Sequence, residues 1–240
     1  MVFVAFVAFV VFVPERRPLP VAAIRAIVFD FDGVLADSEM LHLRVYRDLL
    51  GPSGVTISNE QYCERYLGSD DEGVFQQVAI DYGLMLGDEE IELLIAEKAR
   101  RFEALVSSAD VMYPAAAACV RRLAAEWPLG IASGARRSEI ELMLRGAGLS
   151  DAFRFIVAAG DTDHGKPAPD PYLRAAELHG APPAACVAIE DSHAGLDSAR
   201  AAGLRTIGIS TTYPRATLTA DAIIDSLDEV TPALIRQLDA

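Results

Sequence analysis

Basic residues are scarce in this chain: 21 Lys and Arg stand against 35 Asp and Glu, for a formal net charge of -14. No cluster of Lys and Arg is present to neutralise a row of phosphates, which argues against nucleic acid as a partner. Cysteine is equally sparse. Cys63, Cys119 and Cys186 are odd in number and far apart, a pattern that fits reduced thiols of a cytoplasmic protein better than a disulfide framework or a zinc site. An apolar run of the about 20 residues needed to span a membrane is also missing. The nearest approach, Val2 to Val13, is uncharged, but it ends at Pro14 and has its basic residues, Arg16 and Arg17, after it, whereas a signal peptide carries them before. Residues 1–20 are therefore read as an appended apolar extension outside the fold, and membrane association is not expected. The alternative, that the extension recruits the protein to a membrane or partner, predicts that deleting it changes fractionation.

What is present is a chain of 240 residues, 52% apolar, long enough to bury a full core. Its most informative stretch runs from Ile27 to Leu35, where an apolar strand delivers Asp30 and Asp32 onto Gly33. A strand that is apolar on both faces belongs in the middle of a parallel sheet, and such sheets bind ligands beyond the carboxyl ends of their strands. Two carboxylates at i and i+2 of an extended segment point the same way, so their repulsion calls for a cation or a proton. An acidic turn without function is the plainer account of this stretch taken alone.

Three further segments repeat the pattern of apolar strand, polar turn and helix. Leu129 to Gly134 ends in Ser133 beside a glycine, Phe155 to Ala159 leads towards Lys166 and Pro167, and Ala185 to Ser192 ends in Glu190 and Asp191. Lys166 is one of two lysines in the chain, the other being Lys98, so a point charge at this position stands out.

Asp30, Asp32, Ser133, Lys166 and the Glu190–Asp191 pair, in this order, resemble the four motifs of the haloacid dehalogenase superfamily, from about Ile24 to the end. The resemblance implies an α/β fold, a doubly wound, Rossmann-like parallel sheet with an inserted helical cap, in the subgroup of phosphoglycolate phosphatases, sugar-phosphate phosphatases and beta-phosphoglucomutase. It places the α/β core at residues 21–36 and 111–240 and the cap at 37–110. It further implies that Asp30 attacks phosphorus to form an aspartyl phosphate, and that Asp32 protonates the leaving oxygen and then activates water. Mg²⁺ would be held by Asp30, the carbonyl of Asp32 and Asp191, with Glu190 in support. Ser133 and the N–H of Gly134 would hold phosphate oxygens, and Lys166 would neutralise nucleophile and phosphoryl group together. Dehalogenases of the superfamily typically lack the second aspartate, so Asp32 argues for phosphoryl chemistry. Ser133 alone could equally cap a helix, and Lys166 alone could be a surface lysine.

His42 is either a substrate contact near the cap hinge or a half-buried spacer, and Arg136 either meets a distal anionic group of the substrate or starts a helix in solvent. His193 is expected to begin a helix, since Mg²⁺ prefers oxygen to imidazole. His164 and His179 are expected in loops or at the surface.

From Asp37 to Asp110 the periodicity is helical: Leu41, Val45 and Leu49, then Val74, Val78 and Tyr82, then Ile91, Leu94, Ile95, Phe102 and Leu105. Acidic residues are concentrated here, which keeps a helical surface solvated and should disfavour substrates with several phosphates. In beta-phosphoglucomutase a cap arginine grips the far phosphate. Asp71 stands near that place here, and no arginine lies between Arg65 and Arg100. Hydrolysis is therefore favoured over isomerisation, with a phosphomutase as the second reading and a non-catalytic binding protein as the third. The substrate expected is a small phosphorylated metabolite, a sugar phosphate or a phosphoglycolate-like acid. Nothing in the sequence signals an oligomeric state.

Overall fold

The sequence Ala26–Phe29 forms β1 at the centre of a sheet, with all four residues buried. Alternation splits it between two apolar layers: Ile27 and Phe29 join one cluster, Ala26 and Val28 the other. A strand apolar on both faces is stable only where both faces are covered, and here they are. The computed structural model describes residues 23–67, 69–107 and 111–239, so the apolar run at residues 1–13 lies outside the described part.

Five more strands follow: β2 (Leu129–Ala132), β3 (Ile156–Val157), β4 (Cys186–Glu190), β5 (Arg205–Ile209) and β6 (Ala222–Ile224). They pair in the order β3-β2-β1-β4-β5-β6, every pairing parallel. Val28 lies opposite Gly130 on one side and Ala188 on the other. This is the doubly wound order, and its switch point is the crevice between β1 and β4. The strand expected over Phe155 to Ala159 is reduced to two residues. At this sheet edge the Phe155 ring packs edge-on against His179, with centroids 4.6 Å apart, while its carbonyl accepts the N–H of Ile131 at 3.2 Å. His179 is accordingly half-buried, contrary to the expectation of a surface residue.

Helices α1 (Glu39–Leu50), α2 (Asn59–Arg65), α3 (Asp71–Tyr82) and α4 (Asp88–Val106) come between β1 and β2 and build a core of their own from Leu43, Tyr46, Tyr62, Tyr66, Phe75 and Val78. Side-chain caps set the starts of two of them: Ser58 accepts the N–H of Gln61 at 3.0 Å, and Asp70 that of Gly73 at 2.8 Å. Helices α5 (Ala116–Ala124), α6 (Arg137–Gly146), α7 (Asp170–His179), α8 (His193–Ala201) and α9 (Pro232–Gln237) complete the fold. Residues of α5, α6 and α9 pack on the Ile27 and Phe29 face, and residues of α7 and α8 on the Ala26 and Val28 face. Burying each large apolar side chain contributes roughly 1.5–3 kcal/mol, and the two layers together fix the strand ends that carry the site.

Candidate active site

The ends of β1 and β4 flank the switch point, and each turns there into acidic residues. Asp30 follows β1, and Glu190 and Asp191 close β4; all three are buried. The turn after Asp30 passes through Gly33 at φ +78°, and a Cβ there would lie 2.0 Å from Asp191 Oδ2. Glycine is therefore required twice over, for its backbone and for its missing side chain. Gly195 serves the neighbouring carboxylate in the same way, since its Cβ would fall 1.6 Å from Glu190 Oε1.

Lys166, in the loop before α7, donates to Asp30 Oδ1 and to Glu190 Oε1, each at 2.6 Å. The hydroxyl of Tyr172 donates to the same Glu190 oxygen at 3.0 Å. Glu190 Oε2 accepts from the backbone of Asp191 and Ser192 and from the Ser192 hydroxyl, at 3.0–3.1 Å. Both oxygens of Glu190 are thus engaged by protein donors, and what this residue does is hold Lys166 and the loop in place.

Oxygen atoms of Asp30, Glu190 and Asp191 lie within 4.8 Å of one another, a group that could hold a metal ion. Its electrostatics call for one. Burial, opposed by Lys166 and reinforced by Glu190, pushes the Asp30 carboxyl up to about 8. Burial together with the charges of Glu190 and Asp30 raises Asp191 well above the usual carboxylate range. Lys166 brings one positive charge to three carboxylates, so a second cation would relieve the remainder. An all-oxygen donor set suits a hard divalent ion.

The other side of the cleft is formed where the α1–α4 layer meets the sheet. Asp32 accepts from the Ser38 hydroxyl and lies 3.6 Å from His42 Nε2. The His42 ring stacks on Phe102 with centroids 4.0 Å apart. Burial raises the Asp32 pKa, but His42, Ser38 and Lys98 outweigh it and hold the carboxyl below its usual range. Burial and Lys98 lower the His42 pKa, but Asp32 and Glu39 prevail and raise it. Each member of the pair thus favours the charged form of the other. Ser133 and Gly134 line the cleft from the loop after β2. The Ser133 hydroxyl accepts the N–H of Ala135 at 3.0 Å, while α6 is entered from Arg136, so Ser133 is not a helix cap. Arg136 is half-buried and lines the cleft too, donating to the Ile95 carbonyl at 3.3 Å, which sets aside its reading as a solvent arginine. His193 begins α8 and packs on Tyr213, with ring centroids 4.6 Å apart. His164 is exposed and paired with Asp170.

Two cleft residues escaped the sequence reading. Lys98 of α4 is 1% exposed and lies 3.0 Å from Asp71 Oδ1 and 3.3 Å from Glu139 Oε1. Its signal was available, since it falls on the apolar stripe of α4, four residues after Leu94 and four before Phe102. Glu139 of α6 is fully buried, and burial pushes its pKa up against the pull of Lys98 and His42. In sequence it reads as an ordinary acidic residue of a first helical turn. The cavity these groups enclose is about 70 Å³. That is well below the roughly 300 Å³ at which small-molecule pockets begin.

The model of the haloacid dehalogenase-like hydrolase family matches residues 24–203. Protein CbbY of Rhodobacter capsulatus is 33% identical over 199 residues, 80% of this chain and 88% of that one. Hexitol phosphatase B of Escherichia coli K12 is 31% identical over 215 residues, 87% and 95% of the respective chains. Among solved structures, CbbY from Rhodobacter sphaeroides in complex with xylulose 1,5-bisphosphate superposes with a TM-score of 0.78 at 28% identity, covering 88% of this chain and 98% of that one. No helix among the described residues is long and apolar enough to cross a membrane. With the matched span reaching from the first strand through α8, the chain belongs to the haloacid dehalogenase-like hydrolases.

Proposed function

We propose that this protein is a Mg²⁺-dependent phosphatase that hydrolyses a small phosphate monoester through an aspartyl phosphate on Asp30. The observation that carries the reading is the Asp30 carboxylate held 2.6 Å from the Lys166 ammonium, beside Asp191, at the mouth of the β1–β4 crevice. Asp30 and Asp191 would hold the ion, with the carbonyl of Asp32 as a third oxygen and Glu190 in support. Bound there, Mg²⁺ supplies charge neutralisation for a phosphoryl group that is already anionic.

Asp30 attacks phosphorus, and the bond to the leaving oxygen breaks. Lys166 offsets the charge shared by nucleophile and phosphoryl oxygens, while Ser133 and the Gly134 N–H orient those oxygens. Asp32, 3.6 Å from His42, delivers a proton to the leaving alcohol and recovers one from the water that attacks the aspartyl phosphate. Chain ends and domain limits follow the same reading, with a core of residues 21–36 and 111–240, a cap of 37–110 and an apolar extension before them.

Hydrolysis is preferred to phosphomutase chemistry because Lys98, a cation a mutase could use for a second phosphate, is already paired with Asp71 and Glu139. Relatives named for hexitol phosphatase activity, and a CbbY structure holding a sugar bisphosphate, support a phosphorylated sugar as substrate. The test is phosphate release from a panel of small monophosphates, with and without Mg²⁺, by wild type and Asp30→Asn. Metal-dependent release that Asp30→Asn abolishes is expected. Isomerisation of beta-glucose 1-phosphate with little release would make it a mutase, and silence across the panel would leave a binding protein.

A further inference from the structure

Lys98 is shared by two carboxylates, each of which gives it one oxygen and keeps the other bare. Asp71 Oδ1 lies 3.0 Å from Lys98 Nζ and accepts from the Tyr46 hydroxyl at 2.6 Å, and Glu139 Oε1 accepts from Lys98 at 3.3 Å. Asp71 Oδ2 and Glu139 Oε2 are buried with no hydrogen-bond partner. Both residues line the cavity that also contains Asp30. A buried acceptor without a donor costs about 1–3 kcal/mol, so two of them on one wall of a substrate cleft mark where the substrate supplies the donors.

The nearest donors are engaged: Lys98 is divided between the two carboxylates, Tyr46 is on Asp71, and the Tyr62 hydroxyl is on Glu39 at 2.8 Å. Lys98 is matched by the two carboxylates it pairs with, so it offers no unpaired charge to a second anion on the substrate. An anionic group would instead meet two bare carboxylate oxygens.

We infer that Asp71 Oδ2 and Glu139 Oε2 accept hydrogen bonds from hydroxyl groups of the leaving alcohol, so that the enzyme selects neutral polyhydroxylated monophosphates over acid phosphates and bisphosphates. The inference rests on the phosphatase reading above and names the substrate class for that site. The ester phosphate sits on the Asp30 side, and the hydroxylated carbon chain extends beneath α3 and α4 to the acceptors. A site built around hydroxyls discriminates strongly against analogues that lack them, because its own groups are then left unpaired.

The experiment measures kcat/KM of the full chain with Mg²⁺ on alditol and sugar monophosphates and on their single deoxy analogues. A two-carbon acid phosphate, a sugar bisphosphate and a hydroxyl-free alkyl phosphate complete the series. For at least one hydroxyl, deletion should lower the wild-type value by about 10-fold or more, and the same deletion should cost less than about 3-fold in Glu139→Gln or Asp71→Asn. The acid phosphate and the bisphosphate should trail the parent compound by about 10-fold. The readout is the parent-to-deoxy ratio, which a merely structural loss of Lys98 positioning leaves unchanged however slow the variant becomes. Equal ratios in all three proteins, or a preference for the acid phosphate or bisphosphate, would overturn the inference. Metal- and Asp30-dependent release with unmoved ratios leaves the phosphatase reading standing and removes this one, whereas no release from any compound removes both. If one variant fails to fold, the wild-type deoxy series and the other variant decide.

Discussion

Lys98 is sealed from solvent and the Lys166 side chain nearly so, and each lies between two carboxylates, but the sheet and the helical layer above it treat the carboxylates differently. Around Lys166, both oxygens of Glu190 are engaged, by Lys166 and Tyr172 on one and by the Asp191–Ser192 loop on the other. Around Lys98, Asp71 and Glu139 keep one bare oxygen apiece. On the proposed mechanism, the end of the cleft that would receive the phosphoryl group is finished in advance, as electrostatic stabilisation of a transition state requires. The end that would receive the leaving group is left incomplete. On this proposal the chemistry falls to strand ends and selection to the seam between helices.

Removing the nucleophile breaks this comparison most completely. Asp30→Asn should lower kcat by roughly 10⁴-fold or more, in line with the loss of other covalent nucleophiles. Lys166→Met should cost about 10²–10³-fold in kcat by the measure of a lost charge-stabilising group. Steady-state phosphate release checks both. A Lys98→Met variant that lost as much kcat as Lys166→Met would erase the division of labour.

The corresponding effect of Lys98 is on stability. Lys98→Met leaves Asp71 and Glu139 buried with no counter-charge and should cost roughly 3 kcal/mol in urea denaturation, part of which Glu139→Gln restores in the double variant. A loss under about 1 kcal/mol would mean that water reaches the pair.

The same division explains what could be read from sequence. Asp30, Ser133 and Asp191 lie at strand ends, where an apolar run that stops at a polar residue announces itself, and the parallel order of β1, β2 and β4 brings these three turns to one edge, whereas Lys166, in the loop before α7, stood out as one of two lysines. The apolar run from Phe155 to Ala159 overestimates β3, which keeps only Ile156 and Val157 as strand. Glu139 gave no signal, since its burial depends on how α6 meets α4, a tertiary fact that periodicity along α6 does not contain. Lys98 did leave one, as a cation on an apolar stripe. Arg136 stood between two readings that only its place in the cleft separates.

A milder perturbation sharpens the contrast from the sheet side. In Gly195→Ala the new methyl would meet Glu190 Oε1, so the start of α8 must retreat and Glu190 loosens its hold on Lys166. The expected cost is roughly 1–3 kcal/mol, with kcat falling while the parent-to-deoxy ratio stays at its wild-type value. A ratio that moved with kcat would show that the two ends of the cleft are coupled.

The smallest effect concerns pH and belongs to the sheet alone. His179, half-buried against Phe155 at the β3 edge, has its pKa pushed down by burial to about 4, against 6.5 for the free side chain. Because the unfolded chain takes up a proton near pH 6.5 and the folded one does not until about pH 4, this residue's contribution is intact above pH 6.5 and is lost progressively as pH falls from there to about 4. Discounted for partial exposure, the loss should be about 1 kcal/mol between pH 7.5 and 5. Urea denaturation at the two pH values should show wild type losing more than His179→Leu by that amount. Equal losses would mean that the ring is hydrated at the sheet edge, its packing on Phe155 notwithstanding.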